Sequence, residues 1–186
     1  MMNMTFSEKY ALVRAQARAD GLKLGLFWVL SFALFIGNFH YALLGMLWMA
    51  TMVFTPFFVG ILTRRYAVKW HDGIISYRHA YTHSFLTIFY ASLILAIVQW
   101  AYFAYLDHGF VVTNYVNIIT DKDFMKGMES MGYNKKALDE LVATLRTLRP
   151  IDISLQLLWS NIVAGFIISL TTALYASTRR HFNPKP

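Results

Sequence analysis

The chain has 186 residues, 57% hydrophobic and 17% aromatic, with only 15% charged, where a soluble domain carries about 25%. A mean hydropathy of +0.43 excludes a disordered chain, and the absence of cysteine excludes a disulfide scaffold, a thiolate zinc site and a cysteine nucleophile. The formal net charge of +7 points either to nucleic acid or to the cytoplasmic face of a membrane, and the placing of the charges decides between them.

Residues 1–20 are expected to form an interfacial helix. Thr5 and Glu8 have capping-box spacing, Phe6, Tyr10, Val13 and Ala17 share a face, and Lys9, Arg14 and Arg18 face headgroups. No cleavable leader is expected, because the first twenty residues are mixed polar and charged. A membrane-spanning helix needs about 20 mostly apolar residues, and segments 21–39, 41–62, 84–105 and 153–177 qualify. Lys23 lies near the start of the first, where its stem can snorkel. Asn38, Phe39 and His40 leave room only for a tight antiparallel turn into the second, which Pro56 should kink. Pro150 marks the boundary before the fourth span. The expected fold is a single all-α membrane domain over 1–186, with four transmembrane helices and a two-helix amphipathic extracytoplasmic insertion at 107–152 between spans three and four.

Basic residues set the orientation. Residues 1–23, the loop 63–83 and the tail with Arg179, Arg180 and Lys185 hold eleven Lys and Arg against three acidic residues, whereas 107–152 holds six against seven. Both termini are therefore expected in the cytoplasm. Anionic inner-leaflet lipid accounts for the basic excess, so membrane lipid is an expected partner and nucleic acid is not.

The insertion is too long for a plain loop. After Thr120, read as its cap, a Met-rich helix with Phe124, Met125, Met128 and Met131 should stop at Gly132. Asn134 should cap a second helix, in which Leu138, Leu141, Val142, Leu145 and Leu148 keep helical spacing. The two are expected to pack on each other, or to offer a partner an adaptable hydrophobic face.

The segment Arg64 to Phe85 gathers the least ordinary side chains. Gly73 suits a turn with positive φ, Ser76 suits a helix cap, and Tyr77 and Tyr81 share a face. The run Asp72-Gly73-Ile74-Ile75-Ser76-Tyr77 with Ala80-Tyr81, the Gly21-x-x-x-Gly25 opening of span one, and the Pro before the last span together resemble the family of domain of unknown function 4199. The resemblance implies a small four-spanning protein of the bacterial inner membrane, with no known activity and no cofactor. It also implies a lipid-linked glycosyltransferase as the class of partner.

His79 and His83 stand i,i+4, with His71 and Asp72 near in sequence, which gives a candidate divalent-metal set that Arg78 opposes. Arg64, Arg65, Lys69 and Arg78, interleaved with Tyr66, Trp70 and Tyr77, are candidates for a lipid phosphate or an acidic partner, although a positive-inside flank is the better explanation. No Asp or Glu falls within 21–39, 41–62, 84–105 or 153–177, which disfavours ion-coupled transport. No hydrolase elbow or phosphate loop occurs either, so an enzyme is not expected. Gly21/Gly25, Ser92/Ala96 and Gly165/Ser169 have the spacing of close helix contacts, within the chain or between copies. The expected function is that of a non-enzymatic scaffold or modulator of a membrane-protein partner or lipid-linked pathway. The alternative is a small oligomeric channel or carrier with its path between protomers at the Pro56 kink.

Overall fold

The computed structural model describes residues 6–132 and 134–177, and over these the chain is all-helical with seven helices. These are α1 (Phe6–Gly37), α2 (Ala42–His71), α3 (Tyr77–Tyr105), α4 (Phe110–Ile119), α5 (Lys122–Ser130), α6 (Lys135–Thr147) and α7 (Pro150–Ala176). Four of them, α1 from Tyr10 onward, α2, α3 and α7, are long and apolar enough to cross a membrane. Thr5 and the tail residues Arg179, Arg180 and Lys185 lie outside the described residues.

The spans are longer than their uncharged cores. Helix α1 runs unbroken from Phe6, so the lead-in segment and the first apolar run are one helix. Its faces follow from the 3.6-residue period: Asp20, Leu24, Trp28 and Ser31 are buried, while Leu22, Leu26 and Leu30 are each more than half exposed. Leu43, Met46, Met49, Val53 and Phe57 of α2 likewise face outward. Apolar exposure on this scale suits hydrocarbon, where only internally hydrogen-bonded helices persist.

The α1–α2 hairpin turns over Asn38 to Tyr41, with His40 N–H donating to Gly37 O at 3.0 Å. The expected inner loop of 63–83 contracts to residues 72–76, because helical hydrogen bonding outlasts the apolar run at the ends of α2 and α3. Asp72 (φ 51°) and Gly73 (φ 78°) are both left-handed, and Gly73 N–H closes the helix end on Ala67 O at 3.0 Å. Ser76 Oγ accepts from His79 N–H at 3.4 Å at the start of α3. A Cβ at Gly73 would meet nothing closer than Arg64 Nη2 at 3.8 Å, so the backbone angle alone penalises a side chain there. Gly73→Ala is expected to cost about 1–2 kcal/mol, read as a lowered unfolding midpoint in detergent.

The described parts of Met1–Ala96 and Leu158–Pro186 form one compact unit, and Ile97–Leu157 form a second. The second unit holds a helix that the sequence reading did not foresee. Val111 and Val116 of α4 are buried, α4 packs against α6, and Leu138 is the buried member of the α6 stripe. The cap of α5 is Asp121 rather than Thr120: its carboxylate accepts from the N–H groups of Asp123 (3.0 Å) and Phe124 (3.2 Å). Thr120 instead closes α4. Asn134 caps α6 as expected, accepting from Ala137 N–H at 2.9 Å. Helix α7 starts at Pro150 itself, the first-turn position where a missing N–H goes unnoticed. Arg149 and Asp152 brace that end, with Arg149 Nε donating to Asp152 Oδ2 at 2.8 Å.

Candidate functional site

Asp20 corrects the expectation of spans free of carboxylates. It lies within the apolar helix Tyr10–Gly37 and is 3% exposed. Three side chains compensate its charge. Lys23 Nζ, one turn on, donates to Oδ1 at 2.7 Å, and Gln16 Nε2 donates to Oδ2 at 3.1 Å. His83 Nε2 of α3 stands 3.4 Å from Oδ2, an ion-pair distance long for a hydrogen bond. Lys23 keeps its head toward the surface, with 57% of its side chain exposed. His83 has no such outlet and is wholly buried.

The other nitrogen of His83, Nδ1, lies 3.1 Å from Thr63 Oγ1 of α2, and Thr63 Oγ1 lies 2.9 Å from Ser84 Oγ. One assignment satisfies the line: Nε2–H faces the carboxylate, Nδ1 accepts from the Thr63 hydroxyl, and Thr63 accepts from Ser84. Tyr66, one turn along α2, stacks on the His83 ring at 4.3 Å and 5°. The Tyr66 hydroxyl then bridges His79 Nε2 at 2.7 Å and His71 Nε2 at 3.0 Å. Two polar groups, Asp20–His83–Thr63–Ser84 and Tyr66–His71–His79, thus meet face to face through a tyrosine and a histidine ring.

Asp, His and a hydroxyl in that order make the line of a charge relay. Here the hydroxyl is buried and engaged by Ser84, with no surface from which a reacting atom could approach. The line ties α1, α2 and α3 together in an apolar setting, where paired polar groups hold helices in one register.

The model of the family described as "Protein of unknown function (DUF4199)" matches residues 19–177. The chain belongs to the DUF4199 family. It matches no curated protein and no solved structure.

In this DUF4199 protein the three candidate histidines part company. His71 and His79 converge on Tyr66, whereas His83 turns to Asp20 and Thr63. Among the described residues, no three His, Asp or Glu side chains form a shared metal set. Arg64 pins the turn, its Nη1 donating to Gly73 O at 2.8 Å. Arg65, Lys69 and Arg78 are exposed, Lys69 Nζ rides 5.1 Å over the Trp70 ring, and Trp70 Nε1 donates to Gln16 Oε1 at 3.3 Å. At the level of Pro56, Trp28 Nε1 donates to Thr55 Oγ1 (3.2 Å), and Ser31 Oγ meets Thr51 Oγ1 (2.6 Å). The members of the two polar groups missed by sequence reading are Asp20, Thr63, Tyr66 and Ser84. Only Asp20 left a usable sign, as an acidic residue directly before Gly21-x-x-x-Gly25 on an unbroken helix.

Proposed function

We propose that this DUF4199 protein is a non-enzymatic modulator of a membrane partner or lipid-linked pathway, seated in a bacterial inner membrane with both ends cytoplasmic. The observation that supports it best is the closure of the Asp20–His83–Thr63 line. These are groups with catalytic chemistry, yet they are buried and spent on one another. Such a network shapes a surface instead of receiving a substrate. The surface it shapes includes the Arg65, Lys69 and Arg78 side chains on the turn side of α2 and α3, which suit anionic headgroups or an acidic partner. The channel or carrier reading places a path near Pro56. Direct hydrogen bonds from Trp28 and Ser31 to Thr55 and Thr51 join α1 to α2 at that level, so such a path would run between copies of the chain.

Native mass spectrometry after gentle extraction is the test. A stoichiometric companion protein or a retained anionic lipid is the expected result. Solute flux into proteoliposomes that is lost on changing Pro56 or Asn161 would support the carrier, and a bare, lipid-free monomer would overturn the modulator. A phosphatase reporter fused after Pro186 is expected to stay inactive, since it folds only in the periplasm, and activity there would reverse the orientation.

A further inference from the structure

We propose that His71, His79 and Tyr66 form a binding site for a divalent first-row transition metal ion, with copper(II) its tightest occupant. The inference is independent of the modulator reading. It rests on two imidazole nitrogens that meet one phenolic oxygen. The two imidazole rings lie 4.7 Å apart and edge to face at 70°, so that both Nε2 atoms reach the same phenolic oxygen, at 3.0 Å and 2.7 Å. Ligands held at about 2.0 Å in adjacent positions of a tetragonal copper(II) ion stand about 2.8 Å apart. The two Nε2–Oη separations are already close to that spacing.

Donor type narrows the occupant. Two imidazole nitrogens and a phenolic oxygen suit copper, zinc or nickel rather than calcium or magnesium, and the Irving–Williams order places copper(II) first. The ion bonds Tyr66 Oη as the phenolic proton leaves to water, and no electron is transferred. Tyr66 is held for this role from behind: its ring is 1% exposed and stacks on His83, which the Asp20 and Thr63 contacts fix in turn. His71 and His79 are half-buried at the facing ends of α2 and α3. Arg64 of α2 donates to Gly73 O at 2.8 Å. Sequence spacing alone proposed a different trio, with His83 in the place that the fold gives to Tyr66.

The test titrates copper(II) into metal-stripped full-length protein in detergent, with glycine as a weak competing ligand. One equivalent should bind with a visible phenolate-to-copper charge-transfer band. Tyr66→Phe, which keeps the ring on His83, should abolish the band. His71→Gln and His79→Gln should each weaken binding by at least about tenfold, a loss of about 1.4 kcal/mol, and His108→Gln should change nothing. Binding of no equivalent by the wild-type protein would overturn the site. So would affinity indifferent to His71→Gln and His79→Gln, or a charge-transfer band that survives in Tyr66→Phe.

Discussion

Asp20→Ala is expected to destabilise the protein by about 2–4 kcal/mol, among the largest effects of any single substitution. The carboxylate accepts from Gln16 and Lys23 and stands at ion-pair distance from His83, and these differ in what they do without it. Lys23 is more than half exposed and turns to headgroups or water, so the loss of Asp20 strands nothing there. His83 is wholly buried and cannot turn. With its proton on Nε2 it loses the carboxylate that faces it, and with the proton moved to Nδ1 it leaves Nε2 without a donor. Either tautomer strands one nitrogen in an apolar interior. The double variant Asp20→Ala/His83→Leu removes both polar partners and should recover part of the loss. A coupling of about 1–3 kcal/mol in the double-mutant cycle is the expected signature, measured from unfolding in mixed micelles. Strict additivity of the two changes would show that the contact contributes nothing to holding α1 on α3.

How much of this was legible beforehand depends on the range over which each feature is determined. The four long helices follow from uncharged length, a property of contiguous residues, and Gly73, Ser76 and Asn134 follow from local backbone needs. Helix ends were harder. The search for charge-free runs halted at Leu62 and resumed at Ser84, while the backbone stayed helical to His71 and from Tyr77. A charged or aromatic residue can extend a helix past the apolar core when its neighbours accept it, as Gln16 and Lys23 do for Asp20. Helix α4 was missed because Phe110–Ile119 is only ten residues long, although Val111, Val112, Tyr115, Val116 and Ile119 keep helical spacing. The site was hardest of all. Asp20 and His83 lie far apart in the chain and meet only because α1 and α3 pack closely, and Tyr66 is one of eleven tyrosines with nothing local to mark it.

That close packing yields the second large expected effect, on Gly21→Val. A Cβ at Gly21 would stand 2.7 Å from Tyr90 Cβ and 3.0 Å from Thr87 O, and one at Gly25 would stand 3.1–3.3 Å from three atoms of Ile94. Backbone and Cβ atoms cannot swing aside as the end of a long side chain can, so α1 must move off α3. Overpacking of this kind costs about 1–3 kcal/mol or more. Gly127→Ala in α5, where nothing lies within 4 Å of the new carbon, should instead stabilise by about 0.5–1 kcal/mol. The comparison also separates two uses of small-residue spacing. If Gly21 and Gly25 served contact between copies, Gly21→Val would dissociate an oligomer and leave the monomer's unfolding midpoint unchanged. Since their faces are filled by Thr87, Tyr90 and Ile94 of the same chain, the expected result is the reverse: a lower midpoint with the oligomeric state unaltered. Asp20 and His83 flank this contact, so Gly21→Val and Asp20→Ala should combine to less than the sum of their separate costs. Moving the helices apart has already broken the pair that the second change removes.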